Sequence, residues 1–427
     1  YILAQRPVDV EDRGVLIVVR DTAEALGLLA QAAYGQPNAQ LTNLAVTGTN
    51  GKTTVAYLVR SVLNQAGHRC GLIGTIQYDM GDEVIEAPLT TPDPLTVAAA
   101  ARRMADRGLT FMMIEASSHA LDQKRLAGIS FTAAAFTNLT GDHLDYHKTE
   151  QDYLAAKTKL FAGLPVHGMA VLNADSPVAR RIAAKIRHRT LWYSVQQEAD
   201  IMAEVESMDA TGTVFSLVFR NIKEKVRTPL PGLHNISNHL AAAGLCFAVG
   251  LDVPTVAAGL SALPAVSGRL EPVPCAAADE TGIRVFIDYA HTDDALQNVL
   301  STLRPLCEGR LVVVFGCGGD RDKTKRPRMA QVAQAIADVV IVTSDNPRRE
   351  DPSAIIADIA AGFTDRFRKH VQIEPDRRQA IRSAIHAARQ GDVILIAGKG
   401  HENYQILGTE KVHFSDQEEA LRALSEL

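Results

Sequence analysis

Between Leu44 and Thr54 the chain reads Leu-Ala-Val-Thr-Gly-Thr-Asn-Gly-Lys-Thr-Thr, an apolar run that passes through two glycines into an expected helix start near Thr53. Glycines at 48 and 51 allow backbone N–H groups to close around phosphate oxygens, Lys52 supplies a cation, and the hydroxyl of Thr53 is a hard oxygen suited to Mg²⁺. The expected phosphate cradle is therefore Gly48, Thr49, Asn50, Gly51, Lys52, Thr53 and Thr54. The general phosphate-loop spacing would put a glycine where Val46 stands, so this is a variant loop. The bland alternative is a tight strand-to-helix turn with an exposed Lys52, but Gly-Lys-Thr-Thr in that context favours nucleotide phosphate.

Two further clusters fall at the ends of apolar runs. Glu115 follows Phe111-Met-Met-Ile114, and a carboxylate at the carboxyl end of a parallel strand lies where α/β proteins bind ligands, well placed to share Mg²⁺ with the loop. Thr137-Asn-Leu-Thr-Gly-Asp-His-Leu-Asp-Tyr-His147 packs two aspartates and two histidines into six positions after another such run, and His143 is expected to be a ligand. Lys157, on the helix that follows, reads from spacing and composition alone as a solvated helix residue.

These residues need a scaffold that delivers them to one edge. Phe111–Ile114, Ala133–Phe136 and Met169–Leu172 repeat the strand, loop, helix pattern of a parallel α/β sheet. Val15–Val19 reads as a buried strand and Asp21–Tyr34 as a capped helix. Residues 200–230 alternate in the manner of antiparallel strands added to that parallel core, and Ser237–Val249 returns to helix. The proline-rich stretch Leu263–Pro274 marks a domain boundary. Beyond it, Arg284–Asp288, Leu311–Phe315, Val339–Thr343 and Val393–Ala397 alternate with helical segments, the form of a doubly wound sheet. The expected fold is α/β: a central phosphate-loop domain with a mostly parallel sheet, then a C-terminal Rossmann-like domain. The expected boundaries are 1–40, 41–267 and 268–427.

Bulk composition excludes several classes of function. With 44 basic and 49 acidic side chains, a net charge of −5 and no basic run, nucleic acid is a poor partner. Five scattered cysteines, Cys70, Cys246, Cys275, Cys307 and Cys317, form no CxxC pair, which argues against a disulfide framework or zinc site and fits a reducing cytoplasm. No apolar run reaches the roughly 18 residues that span a bilayer. The first residue is Tyr1, which suggests that the sequence begins inside a longer product.

The ordered motifs Thr-Gly-Thr-Asn-Gly-Lys-Thr-Thr (47–54), Glu-Ala-Ser-Ser-His-Ala-Leu (115–121), Gly-Asp-His-Leu-Asp-Tyr-His (141–147), His-Asn-Ile-Ser-Asn (234–238), Asp-Tyr-Ala-His-Thr (288–292), Gly-Cys-Gly-Gly-Asp-Arg-Asp (316–322), Asp-Asn-Pro-Arg (345–348) and Gly-Lys-Gly-His-Glu (398–402) together resemble the Mur ligase superfamily. The resemblance runs from about residue 40 to the C-terminus, and is strongest to the branch that adds the third amino acid of the peptidoglycan stem. It implies an ATP-dependent, ADP-forming ligase that activates a carboxylate as an acyl phosphate. The small-molecule substrates would be ATP, meso-diaminopimelate and UDP-N-acetylmuramoyl-L-alanyl-D-glutamate, and the enzyme a cytoplasmic monomer.

The resemblance also assigns roles to residues that are ambiguous by themselves. Lys157 would be carbamylated and, with Glu115 and His143, would organise two Mg²⁺ ions. Asn235, Asn238, Arg269, Asp288 and His291 would contact the nucleotide, although the two asparagines read equally well as helix caps. Thr90, Thr91, Ser118 and Arg125 would meet the muramoyl peptide, where the residues alone suggest a loop and a surface cation. Arg321, Asp345, Asn346, Arg348, Gly398 and Glu402 would form the amino-acid pocket. In it Arg348 can take the distal carboxylate of diaminopimelate bidentately and Glu402 can face an ammonium group. Only about 45 residues precede the loop, where such ligases carry a uridine-binding domain. The alternatives are a shortened ligase of the folylpolyglutamate or cyanophycin type, or a non-catalytic nucleotide-binding homologue.

Overall fold

Parallel strands covered by helices on both faces are unbroken apolar runs, because neither face meets water. The computed structural model describes residues 1–9, 14–140, 144–274 and 281–427. The chain divides into two units, one of Tyr1–Glu204, Phe215–Val226 and His234–Leu263, the other of Val205–Val214, Arg227–Leu233 and Pro264–Leu427.

The chain opens with β1 (Ile2–Ala4) paired in parallel with β2 (Leu16–Val18). Here the expectation of a buried strand fails: Ile17 and Val18 are 41% and 50% exposed, because no further described strand extends this two-stranded sheet. Asp21 caps α1 (Thr22–Ala33) by accepting from the Glu24 N–H at 3.0 Å.

β3 (Thr42–Thr47) leads into α2 (Lys52–Gln65), β4 (Cys70–Ile73) and the hairpin of β5 (Gln77–Asp79) and β6 (Val84–Glu86). There follow α3 (Pro94–Asp106), β7 (Phe111–Glu115), α4 (Ser118–Asp122), β8 (Ala133–Phe136), α5 (Leu144–His147) and α6 (Glu150–Ala162). β9 (Met169–Asn173), α7 (Pro177–Ala183) and β10 (Arg189–Ser194) complete the parallel core, in the order β10-β9-β8-β3-β7-β4. The register sets Val46 opposite Glu115 and Thr47 opposite Phe136, so β3, β7 and β8 end level. Their next residues emerge at one edge.

β11 (Ile201–Asp209) joins β10 in parallel, and β12 (Gly212–Phe219) and β13 (Ile222–Thr228) extend the sheet through two-residue turns. Such short turns require antiparallel pairing, as the alternation of residues predicted. The second turn places Arg220 and Asn221 at φ +49 and +64, the left-handed pair that matches strand twist in a hairpin. Then come α8 (Leu233–Ala248) and α9 (Val253–Ser261). α8 begins four residues before the expected Ser237, which changes the reading of Asn235 and Asn238.

The second unit carries the sheet β14-β15-β19-β16-β17-β18. Its elements are β14 (Glu271–Pro272), β15 (Arg284–Asp288), α10 (Asp293–Leu303), β16 (Leu311–Phe315), α11 (Lys325–Ile336), β17 (Val339–Val342), α12 (Pro352–Ala360), β18 (Val371–Ile373), α13 (Arg377–His386) and β19 (Val393–Ala397). The hairpin β20 (Tyr404–Leu407) and β21 (Glu410–His413) and the helix α14 (Asp416–Leu424) close the chain. Alternation along β16 builds two cores. Leu311, Val313 and Phe315 pack with α10, α11 and α12, while Val312 and Val314 pack with α13 and α14. β15 to β19 are all parallel, and β19 lies between β15 and β16, so the ligand-binding edge is again the carboxyl end of the strands.

Candidate active site

β3 ends at Thr47 and α2 begins at Lys52, so four residues must turn the chain. Gly51 sits at φ +87, and a Cβ there would lie 2.2 Å from Asn238 Oδ1; one on Gly48 would lie 1.9 Å from Thr137 Oγ1. Both glycines are sterically required. The continuation of β8 clamps the loop: Thr49 N–H donates to Asn138 O and Asn50 N–H to Asn138 Oδ1, each at 2.9 Å, while Thr137 Oγ1 donates to Asn50 O at 2.6 Å. Lys52 curls over the loop, with Nζ donating to Gly48 O (3.0 Å) and Thr49 O (2.8 Å). Thr53 and Thr54 are buried in the first turn of α2.

Glu115 is fully buried at the end of β7. Its Oε2 accepts from Thr53 Oγ1 at 3.0 Å and Thr75 Oγ1 at 2.9 Å, and its Oε1 accepts from Thr75 N–H at 2.9 Å. The loop and the carboxylate, 62 residues apart in sequence, thus share one hydroxyl. Thr90 Oγ1 lies 3.1 Å from Thr75 Oγ1. Thr91 is buried, donates to Glu115 O at 2.6 Å and accepts from Ser117 N–H at 3.0 Å. Ser118 is buried at the start of α4. Arg125 is half-buried rather than a free surface cation, because its guanidinium donates to Thr91 O at 2.8 Å. Thr90, Thr91, Ser118 and Arg125 therefore fall beside Glu115.

Lys157 corrects the expectation of a solvated helix residue. It is 1% exposed, donates from Nζ to Gly48 O at 2.8 Å and stands 4.4 Å from the ring centre of Tyr153, whose hydroxyl is 3.1 Å from Thr49 Oγ1. α6 packs this face against the phosphate loop, which takes the lysine almost wholly out of water. His147 is buried beside Tyr153, and burial holds its imidazole below its ordinary pKa. His143 lies outside the described residues. Asn235 and Asn238 are not caps: both are buried within α8, and Asn238 touches the loop at Gly51.

The remaining candidates gather in the second unit, at the carboxyl ends of its strands. Asp288 ends β15 buried, accepting from Leu270 N–H (2.7 Å) and Ala290 N–H (2.8 Å); burial raises its pKa, while Arg269 and the two backbone donors oppose the shift. The Arg269 guanidinium lies 4.9 Å from the Tyr289 ring centre. His291 is exposed, with Nδ1 2.9 Å from Tyr289 O. After β17, Asp345 and Asn346 are buried, and Asn346 Nδ2 donates to Glu402 Oε2 at 2.8 Å. Gly398 follows β19, and a Cβ there would lie 3.4 Å from Asp345 Oδ2. Arg348, at φ +52, donates to Gly319 O at 2.9 Å. Arg321 is exposed, and its Cγ comes within 3.9 Å of a Cβ built on Gly318.

Two family models match the chain: the Mur ligase middle domain over residues 46–246 and the Mur ligase glutamate ligase domain over residues 268–400. The sequence is 45% identical to the UDP-N-acetylmuramoyl-L-alanyl-D-glutamate–2,6-diaminopimelate ligase of Bacillus licheniformis, with 100% of this chain and 87% of that protein covered. The chain belongs to the Mur ligase family. The ligase of the same name from Thermosynechococcus vestitus is 46% identical, covering 97% of this chain and 83% of its own. A solved structure of a ligase of that name is 35% identical, covers 99% of this chain and 86% of its own, and superposes with a TM-score of 0.71. The folylpolyglutamate synthase of Thermotoga maritima, 18% identical with a TM-score of 0.68, shares the fold alone.

Reading the sequence of this Mur ligase missed Thr75, which supplies two of the three hydrogen bonds to Glu115, and Asn138, which clamps the loop. Both follow the carboxyl ends of parallel strands, so asking what comes after every such strand would have found them. It also missed Lys399. Among the described residues the first unit offers a glycine loop opening into the first turn of α2 and a buried set of hard oxygens, and the second offers carboxylates beside guanidinium groups. No described helix is long and apolar enough to cross a membrane.

Proposed function

We propose that this Mur ligase joins meso-diaminopimelate to UDP-N-acetylmuramoyl-L-alanyl-D-glutamate. The substrate carboxylate takes the γ-phosphoryl group of ATP, releasing ADP, and the amine then attacks the acyl carbon and expels phosphate. The observation that carries the reading is the hydrogen bond from Thr53, next to the loop lysine, to the buried Glu115 carboxylate, in a chain 45% identical to a ligase of that name. We assign the muramoyl peptide and the phosphate end of the nucleotide to residues 41–267 and the amino acid to residues 268–427, which also carry the nucleotide contacts Arg269, Asp288 and His291, with residues 1–40 belonging to a uridine-binding domain. The enzyme would act as a monomer in the cytoplasm.

Phosphoryl transfer needs positioning and charge neutralisation more than covalent help. Lys52 meets the γ-phosphate once it leaves the carbonyls of Gly48 and Thr49, and the loop 48–54 wraps the phosphate chain while Asn138 holds its shape through the Thr49 and Asn50 N–H groups. The hydroxyl of Thr53 and the carboxylate of Glu115 are hard oxygens that fit Mg²⁺. With His143 and Lys157 they would hold two such ions, which neutralise charge on the transferred group. The Lys157 ammonium cannot itself bind a cation; carbamylation turns it into a carboxylate-like anion at the same buried position. Asn235, Asn238, Arg269, Asp288 and His291 are the further nucleotide contacts. Arg125, with Thr90, Thr91 and Ser118, orients the glutamate carboxylates of the acceptor. In the amino-acid pocket, Arg348 and Arg321 take carboxylate, while Asp345, Asn346, Gly398 and Glu402 take the ammonium end.

ADP release tests this directly. It should require both the UDP-muramoyl dipeptide and meso-diaminopimelate, fall sharply when L-lysine replaces the latter, and vanish in Lys52→Ala. Equal turnover with lysine overturns the amino-acid assignment, and full activity of Lys52→Ala overturns the mechanism.

A further inference from the structure

After β19 the chain makes the turn Gly398-Lys399-Gly400 with both glycines in the left-handed region, at φ +117 and +53. A Cβ on Gly400 would lie 2.9 Å from the Tyr289 backbone, so the turn is pressed against the segment after β15. Lys399 is consequently 0% exposed. A lysine is almost never fully buried unless its charge is paired. Here Nζ lies 3.2 Å from Glu402 Oε2, 3.3 Å from Asn346 Oδ1 and 3.7 Å from Asp345 Oδ1.

Asn346 Nδ2 donates to the same Glu402 oxygen, Oε2, so Oε1 is the acceptor left for a ligand, on a side chain that is still 17% exposed. The charge count is equally specific. Asp345 and Glu402 bring two negative charges and Lys399 one positive, and Arg377, which also interacts with both carboxylates, is matched by its own buried partner Asp416, so the cluster keeps a single negative charge, enough for one ligand ammonium. Asp345 Oδ1 is buried and accepts no hydrogen bond from the described residues. Burial pushes the Glu402 carboxyl above its ordinary pKa, and Lys399 is the chief group opposing that rise.

The geometry points to Lys399 as a positioning residue that keeps Glu402 charged and aimed at the distal ammonium of the amino-acid substrate, at the centre whose carboxylate Arg348 takes. Remove the lysine, and the half-buried Glu402 carboxylate is left beside the buried Asp345 carboxylate, a repulsion that favours uptake of a proton by one of them. The negative charge that pairs with that ammonium is then lost. The inference rests on the amino-acid pocket assigned above, and goes beyond it by making substrate discrimination depend on a side chain with no access to the ligand.

The test uses the full chain with Lys399→Met and Glu402→Gln, singly and combined. KM and kcat are measured for meso-diaminopimelate and for 2-aminopimelate, which keeps the distal carboxylate but lacks the distal amine. Lys399→Met should raise KM for meso-diaminopimelate at least tenfold, leave KM for ATP within twofold, and narrow the preference for meso-diaminopimelate over 2-aminopimelate. Adding it to Glu402→Gln should cost less than a further twofold, because both changes remove one function. Lys399→Gln, which keeps two donors without the charge, is held to the same criteria should the methionine variant not fold. Unchanged KM, equal losses for both amino acids, additive losses, or collapse of both variants would overturn the assignment. A wild-type chain inactive with meso-diaminopimelate instead overturns the underlying reading, and this inference with it.

Discussion

Replacing Glu115 by glutamine separates a structural carboxylate from a catalytic one. The side chain is fully buried and accepts three hydrogen bonds, two from hydroxyls and one from a backbone N–H. Glutamine keeps the shape and can keep its oxygen on Thr75 N–H, while its amide faces Thr53 Oγ1 and Thr75 Oγ1, which can rotate to accept. All three contacts survive as neutral hydrogen bonds. Bonds to a charged group contribute about 1.5–3 kcal/mol and neutral ones about 0.5–1.5, so the gross loss is about 3 kcal/mol. Relief of the cost of burying a carboxylate offsets part of it, for a net loss of about 1–2 kcal/mol. For a unit of this size that lowers Tm by about 2–8 °C. With Glu115 as the proposed Mg²⁺ ligand, catalysis should suffer far more, because an amide lacks the negative charge that such a ligand would supply. Coupled ADP release should fall by about 100-fold or more in kcat/KM, equivalent to about 2.7 kcal/mol, with a raised Mg²⁺ requirement. Melting curves and ADP release on the same preparation give both numbers. Activity within threefold of wild type, alongside the expected Tm change, would refute the placing of Glu115 at the reaction centre.

Two further predictions concern the second unit. Arg377 and Asp416 form a fully buried bidentate pair, both contacts at 2.7 Å, so Arg377→Met should cost about 3–5 kcal/mol in urea unfolding by stranding Asp416. Arg377→Met with Asp416→Leu should recover most of that; a double variant as unstable as the single would show that the carboxylate is not the source. Glu350 is held at about 2, below its ordinary 4.5, first by its hydrogen bonds from Arg326 and then by the Asp320 N–H. Its folded value is the lower one, so its contribution is fully present above pH 4.5 and is lost as pH falls towards 2. Glu350→Gln should flatten the fall of Tm over that window, and an unchanged slope would refute the assignment.

Much of the fold was legible because its determinants are local. The strands around Phe111, Ala133, Leu311 and Val393 are unbroken apolar runs, and sheets covered on both faces demand that pattern. Gly48 and Gly51 were legible because a loop turned this tightly excludes a Cβ, and Glu115 because the end of a parallel strand is a position that can be counted along the chain. Val15–Val19 misled for the complementary reason: its apolar composition is local, but its cover is not.

What the residues alone determined is the set of backbone shapes and the edge at which chemistry collects, since both follow from neighbours a few positions away. What only the tertiary structure decided is which polar groups lose water. Lys157 belongs to an ordinary helix until Gly48, 109 residues earlier, meets its ammonium. Asn238 becomes a loop contact because α8 starts earlier than its cap-like asparagines suggest, and Lys399 is sealed in because Gly400 presses on Tyr289. Burial of a charge depends on what distant segments bring to it, and that is not written in the residues beside it.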